Sequence, residues 1–318
     1  MQLGVVHSSS DGQKYYTQIP TINSRYSPKY FGLEKGVSSI TNVADNALVN
    51  GDIIGANEYE GNYVFDLVYN NDTDIQTNIH STDSHGINQV NFAILDMFGY
   101  QFAPRYKNIS SKAKTIYSFQ QASEYKKYLL QPKRRIKENI IIEEWDNFQR
   151  ILASLGMKTT TQSDIIKKLS STKRNNQTKK AIVEYDNIVE TYHKLRYIDD
   201  PVFQKQINTV LNRGEHSNKL RKHVFHVDGG RFKVHTVMEQ KIWMECNRLI
   251  ANAIIYYNTW LLSELLAYHE GQGNVLIVDL IKKVSPIAWQ HIHIYGRYIF
   301  RVGKVVFDVT AMVKKVKL

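Results

Sequence analysis

The chain has 318 residues, 42% of them hydrophobic and 22% charged, and carries a formal charge of +11. That composition belongs to a folded globular protein, and the length suffices for one large domain or two medium ones. One cysteine, Cys246, excludes an intrachain disulfide framework and a thiolate zinc finger.

The first twelve residues, MQLGVVHSSSDG, lack a basic start followed by an apolar run, so no signal peptide is expected. Charge is divided unevenly along the chain. Residues 1–100 hold 4 basic and 11 acidic side chains, whereas residues 101–318 hold 37 and 19. An acidic beginning and a basic remainder suit a carboxylate metal site inside a protein that grips a polyanion. A solvated basic surface without a partner is the plainer alternative.

In chain order, the first third reads as strands and turns. DGQKYYTQI alternates from Asp11, and GVSSITNVAD and YVFDLVYN are short β-type runs bounded by Gly, Asn and Asp. DIQTNIHSTD fits a helix running into a strand or a short strand alone. HGINQVNFAILDMFGYQFAPRY reads as a helix closed by Gly99, then a strand ending at Pro104. Residues 107–200 turn helical, with breaks near Pro132, and read as an insertion rather than a linker. A helix starts at Asp200-Pro201 and contains Gly214. HVDGGRFKVHT reads as a hairpin turning at Asp228-Gly229-Gly230. One long helix then runs to Gly271. Asn252, Asn258 and Glu264 interrupt its apolar stretch, so it reads as a buried core helix and not a membrane span.

Three acidic positions stand apart. Asp11 opens the first strand, Asp83 follows an apolar-polar run and precedes a helix, and Glu215 sits on a helix rich in Arg and Lys. Two carboxylates on neighbouring strand ends and a third on a packed helix can converge. Such a set can hold two divalent metals about 3.5–4 Å apart, across the attacking and leaving oxygens at phosphorus. Carboxylate oxygen suits magnesium. Spacing alone does not distinguish this from caps and turn-formers.

Local sequence does. STDSHG (81–86), FGYQFAPRYKN (98–108), YIDDPVFQKQINTVLNRGEHSNKL (197–220) and SPIAWQHIHIYGRYIF (285–300), with SSSDGQKYY (8–16) and WDNFQRILASL (145–155), resemble the catalytic region of the Tn-three family of replicative, cointegrate-forming transposases. The resemblance implies that Asp11, Asp83 and Glu215 are a DDE triad and ligands of two magnesium ions, with manganese able to substitute. It implies an α/β fold: a ribonuclease-H-like mixed sheet with a large all-helical insertion between the last core strand and the Glu-bearing helix. The separations, 72 and then 132 residues, agree with that insertion. The expected division is 1–106 and 201–275 for the two parts of the core, 107–200 for the insertion and 276–318 for a C-terminal extension. The tail 300–318 reads as a strand or hairpin with a basic end.

The implied chemistry is cleavage at transposon ends and joining of the released 3′-hydroxyl to target DNA, without a covalent enzyme intermediate. The implied partners are DNA and a second copy or a full-length transposase, in the bacterial cytoplasm and away from membranes. Whole members carry long N-terminal regions that recognise terminal repeats, and the resemblance covers only their C-terminal part. A shortened copy that binds DNA or intact transposase without catalysis is the alternative, and a two-metal nuclease without joining is a third.

Supporting residues keep two readings each. His85 either contacts the scissile phosphate or faces solvent. Arg105 binds phosphate or pairs with an acid. Lys219 shares a helix face with Glu215, which favours an ion pair over DNA contact. Arg213 and Arg221 are read as phosphate contacts. Two runs, 126–137 and 167–180, hold six basic residues and no acid each, and suit a DNA-tracking surface. Tyrosines number 20 but are dispersed, so no aromatic platform is evident, and the four tryptophans read as core. His223, His226, His291 and His293 lack the partners of a zinc site.

Overall fold

A computed structural model describes residues 4–171, 176–226, 229–293 and 295–297. The expected terminal strand at 300–318 and Asp228 of the expected hairpin lie outside these residues. The fold is mixed α/β.

Its centre is β1 (His7–Thr17). The strand begins four residues before Asp11, so Asp11 lies inside it rather than at its start. β2 (Arg25–Tyr26) and the single turn α1 (Pro28–Phe31) lead to β3 (Lys35–Ala44). β3 pairs antiparallel with β1, with Asp11 opposite Thr41. Asp45 and Asn46 then adopt positive φ at 47° and 69°, as a two-residue hairpin turn requires. That turn brings back β4 (Ala47–Gly55) against β3. β5 (Ile79–Ser81) joins β1 on the other side in parallel, and β6 (Gln101–Phe102) follows β5. Among the described residues the order is β2-β3-β1-β5-β6, with β4 beside β3.

Burial explains the departures from the sequence reading. YVFDLVYN is not a strand; Val64–Tyr69 forms helix α2. Its Val64, Phe65 and Val68 enter one apolar cluster while Leu67 meets Ile40 and Ile54 of the sheet, a division that a helix allows. α3 (Asn91–Met97) ends where expected, with Gly99 at φ 79°.

The segment 107–200 is not wholly helical. It contains α4 (Ile109–Ala113), α5 (Glu138–Glu143), α6 (Trp145–Gly156), α7 (Gln162–Ser171) and α8 (Gln177–Asp199). It also contains a two-stranded parallel pair, β7 (Tyr117–Ser118) with β8 (Arg134–Arg135). Helical composition misled over 124–137, where the chain is mostly irregular around Pro132. Phe148, Leu155 and Ile182 of this segment share one core with Phe65, Phe92 and Phe102.

α9 (Pro201–Val224) starts as read: the Asp200 carboxylate accepts the Phe203 N–H at 2.9 Å and Pro201 occupies the first turn. β9 (Arg231–Phe232) pairs in parallel with the end of β1. α10 (Val237–Gly271) opens on a capping box between Thr236 and Glu239. It is not a buried core helix. Gln240, Met244, Asn247, Ala251, Ile255 and Asn258 form one buried seam, while Ile242, Leu249 and Tyr256 are exposed. Asn252 earns its place in the apolar stretch by exchanging two hydrogen bonds with Leu48 of β4, at 2.8 and 2.9 Å. α11 (Val275–Ile281) packs on the end of α10. No described helix is long and apolar enough to cross a membrane.

α9 and α10 cover one face of β3 and β4 and α2 covers the other, so β3 is buried on both faces. Between β1 and β5 lies His80, fully buried. Its Nδ1 meets Ser8 Oγ at 2.8 Å and its Nε2 meets Ser10 Oγ at 2.9 Å. Burial lowers its pKa to about 3, with a further push from His7. Because the folded-state value lies below that of the unfolded chain, this term is complete above about pH 6.5 and is lost as pH falls toward 3. We expect the stability of the native chain relative to a His80→Asn variant to decline by up to about 1.4 kcal/mol per pH unit across that window. Guanidinium unfolding at several pH values checks this; a difference independent of pH would refute it.

Candidate active site

The parallel register of β1 and β5 sets the site. Ser9 pairs with Ser81, so Asp11 and Asp83 each stand two residues beyond the last paired position. Neighbouring strands run about 4.8 Å apart, which brings the two backbones side by side. Asp83 caps a short 3-10 turn, its carboxylate accepting the His85 N–H at 2.8 Å. Asp11 accepts the Gly12 N–H at 2.8 Å and the Asn218 amide at 2.9 Å.

α9 passes over β1 at close range. Ser9 Oγ donates to the Val210 carbonyl at 3.1 Å, and a Cβ on Gly214 would lie 3.0 Å from the same hydroxyl. Gly214 therefore permits the close approach, and Asn218, one turn later, reaches Asp11. Glu215 precedes Asn218 by three positions, on the same side of the helix.

A cavity of about 330 Å³ holds Asp11, Asp83 and His85 together with Lys14, Tyr59 and Glu60. Burial raises the Asp11 pKa to about 6, with Glu60 and then Asp83 adding repulsion, against hydrogen bonds from Gly12 and Asn218. Glu60 was not singled out in the sequence, where nothing local separates it from other acidic residues. It is held by Lys14 at 2.9 Å and Ser38 at 3.1 Å. A Cβ at Gly12 would overlap its carboxylate, so a larger residue there would push Glu60 out of this position.

Glu215 does not line this cavity. Its carboxylate is 52% exposed and faces Arg105 at 3.9 Å. Arg105 is brought there by its own N–H, which donates to the Thr82 carbonyl at 2.9 Å. The expected Lys219–Glu215 pair is replaced by this contact; Lys219 is exposed. Arg213 lies near His7, whose pKa falls to about 4 through burial and then through that guanidinium. Arg221 corrects the sequence reading. It is only 2% exposed and its guanidinium binds Ser39 at 2.7 Å and also Thr41, on β3. Periodicity placed it on the face of α9 that the sheet covers, so it supports the strand rather than reaching outward. His223 stacks on Trp289 at 3.9 Å between ring centroids.

Among the described residues, no three His, Cys, Asp or Glu side chains already converge as a metal site. The donor chemistry nonetheless fits a hard divalent cation. Asp11, Asp83 and Glu60 crowd acceptor oxygens into one cavity with a single lysine, and their repulsion adds to the burial that raises the Asp11 pKa.

A family model described as the Tn3 transposase DDE domain matches residues 2–298. The chain belongs to this family. It is 29% identical over 300 residues to the transposase for transposon Tn1546 of Enterococcus faecium, covering 94% of this chain and 30% of that protein. It is 25% identical over 301 residues to the transposase for transposon Tn4556 of Streptomyces fradiae, covering 94% and 33%. It is 25% identical over 294 residues to the transposase for transposon gamma-delta of Escherichia coli (strain K12), covering 92% and 29%. The chain spans about a third of the length of these curated relatives. Membership in a DDE family implies a ribonuclease-H-like fold, which the mixed sheet around β1 suits.

Two outcomes follow for this DDE-family domain. Asp11 ionises in the folded state only near pH 6, so its charge destabilises the metal-free fold above that pH and not below about pH 4. The Asp11→Asn variant removes about 2 kcal/mol of that cost and forfeits one hydrogen bond, leaving a gain of about 1 kcal/mol at pH 7.5. Calorimetry without divalent cations should show a raised Tm at pH 7.5 and none at pH 3.5. Arg221→Ala should instead cost about 3 kcal/mol through the lost packing and orphaned hydroxyls. Guanidinium unfolding of the variant beside the unchanged chain measures this loss.

Proposed function

We propose that this chain is the catalytic part of a DNA transposase, which cleaves at transposon ends and joins the 3′-hydroxyl to target DNA. The observation that carries this reading is the register: Asp11 and Asp83 each stand two residues past the last parallel pair of β1 and β5, with the Glu215 helix docked across them, in a chain of the Tn3 transposase DDE family. Asp11, Asp83 and Glu215 would hold two magnesium ions, with manganese able to replace them. Bound there, the cations supply Lewis acidity at phosphorus and make the attacking oxygen easier to deprotonate.

The protein's own groups account for the rest. Asp11 and Asp83 concentrate negative charge that a phosphate alone would not approach, so occupancy by cations and by DNA is coupled. Glu60 adds to that charge, while Lys14 restrains it. Hydrogen bonds from Asn218 and the Gly12 N–H fix the orientation of Asp11 before substrate arrives, which reduces the ordering needed during reaction. Exposed His85 borders the same cavity and is placed to meet a phosphate oxygen. Arg105 and Glu215 form a partly exposed pair, worth less than about 1 kcal/mol. A DNA phosphate competes for Arg105 at little cost, and the released Glu215 can turn toward Asp11. Exposed Lys219 and the basic run 126–137 give the strand a sequence-independent hold. Paired-end chemistry requires two active sites, so we assign a dimer, formed with a second copy or with a longer transposase. The setting is the DNA-associated cytoplasm of a bacterium.

The test supplies the protein with labelled DNA ending in a free 3′-hydroxyl, a supercoiled plasmid and magnesium or manganese. Metal-dependent joining is expected, reduced at least about 100-fold in Asp83→Ala and in Glu215→Gln, with DNA binding retained. Nicking without joining would refute strand transfer. Joining that survives Asp83→Ala would refute the assignment of the site.

A further inference from the structure

The sequence disperses its tyrosines, but the fold gathers several of them. Tyr117, Phe119, Tyr125, Tyr128 and Tyr192 line one largely apolar cavity of about 750 Å³, between α8 and the irregular segment after β7. Tyr192 comes from α8, in step with Ile188, Leu195 and Ile198 along one helix face. Three of these rings are left open to solvent: Phe119 at 53%, Tyr128 at 55% and Tyr192 at 63% exposure. Leu129, beside them, is 99% exposed. With Leu130 and Ile198 it also lines a second cavity of about 590 Å³, which Lys114 and Ala113 border. A soluble protein does not leave a cluster of large apolar side chains uncovered around a cavity without something to place there.

Charge identifies the occupant. The run 126–137, with six basic residues and no acid, supplies Tyr128, Leu129, Leu130, Pro132 and Ile136 to the cavity lining, and Lys127 lies 5.4 Å from the centroid of the Tyr128 ring. Lys126, Lys127 and Lys133 are exposed and no described carboxylate pairs with them. Arg134 and Arg135 are committed elsewhere. Arg134 holds Glu184 through two bonds of 2.8 and 2.9 Å and lies 4.7 Å from the centroid of the Tyr117 ring, which fixes that ring as a wall. Arg135 pairs with Glu138 at 2.9 Å. Asp199 is the carboxylate on the lining. Aromatic walls on a segment that also exposes unpaired lysines match a nucleic-acid strand whose bases are unpaired: the bases stack and the lysines follow the backbone. Paired DNA offers the lysines its phosphates but no base faces to the rings. An apolar protein partner would use the rings but gain nothing from the uncompensated lysines.

We propose that this cavity binds unpaired bases of a DNA strand, with Tyr128 and Tyr192 as the stacking surfaces and Leu129 as a wedge at the cavity's edge. This rests on the reading that the chain acts on DNA. It extends that reading, since the cavity is built from residues apart from the Asp11–Asp83 site.

The test measures fluorescence anisotropy in metal-free buffer with three labelled probes of equal length: an oligothymidylate, an abasic deoxyribose-phosphate strand and a duplex. The unchanged protein should bind oligothymidylate about tenfold more tightly than the abasic strand, the gain of one stacked base. A Tyr128→Ala, Tyr192→Ala double variant should erase that preference and keep its affinity for the abasic strand and the duplex. A Tyr128→Phe, Tyr192→Phe variant should retain the preference, since phenylalanine keeps the ring. The exposure of these side chains lets the variants fold, and circular dichroism confirms it. Equal affinity of the unchanged protein for both single strands overturns the proposal, as does a preference that survives the alanine variant. Loss of self-association in the alanine variant with base preference intact also overturns it, marking a protein-docking surface instead. Failure to bind the duplex as well as the single strands strikes at the DNA-joining reading itself. Duplex binding without base preference strikes only at this cavity.

Discussion

The parallel pairing of β1 with β5 is the constraint on which the rest of the structure depends. Only three residue pairs make the ladder, from His7 with Ile79 to Ser9 with Ser81. So short a ladder specifies register weakly by itself. His80 supplies the missing specificity, because a neutral imidazole between Ser8 and Ser10 satisfies both ring nitrogens in one register only. A slip would bury an unpaired ring and two orphaned hydroxyls, at about 1–3 kcal/mol each. The His7 ring, hydrogen-bonded to Ser81 at 2.7 Å, ties the other end of the same pair. Once the register is set, Asp11 and Asp83 have nowhere to stand but next to one another.

The second dependence is the approach of α9. Small groups make it possible, with Ser9 below and Gly214 above, and polar groups then use it. Asn218 orients Asp11 while Arg221, three residues on, braces β3 through Ser39 and Thr41. One helix therefore carries a residue that holds the site, a residue that holds the sheet, and Glu215 near the solvent boundary. The cost of the arrangement is electrostatic. Asp11, Asp83 and Glu60 repel one another in a partly closed cavity, in a molecule whose overall charge is +11. A fold selected for stability alone would not keep that repulsion, and such local conflicts mark functional positions.

Local strings carried a large part of the reading. STDSHG and LNRGEHSNKL named Asp83 and Glu215, and the family match confirms the resemblance those strings suggested. Helix limits were legible where capping chemistry was explicit, as at Asp200-Pro201, Gly99 and Gly271. The errors have identifiable causes. YVFDLVYN holds β-branched and aromatic residues that suit a strand, and only the division of its side chains between two clusters makes it a helix. The long apolar run of α10 looked buried all round, yet one seam alone meets the sheet. Residues 124–137 have helix-forming composition, but Pro132 and the β7–β8 pairing hold the chain open. Arg221 was assigned outward because helical spacing gives relative directions, not which face is covered.

From sequence alone came the family, the mixed α/β class, the separation of an acidic beginning from a basic remainder, and candidate acids at Asp11, Asp83 and Glu215. These are properties of neighbouring residues and of order along the chain, which a sequence records directly. The tertiary structure decided which side chains share a space. Asn218 meets Asp11 across 207 residues, Arg221 reaches Ser39 across 182, and Glu60 meets Gly12 from a turn with no motif of its own. It also gathered Phe119, Tyr128 and Tyr192 around one cavity. Contacts of that span arise from how sheets and helices stack, so they have no local periodicity to betray them. The position of the Glu215 carboxylate belongs to the same class: Arg105 draws it aside because Thr82 anchors the Arg105 backbone across the strand end, a geometry that exists only once β1 and β5 have paired.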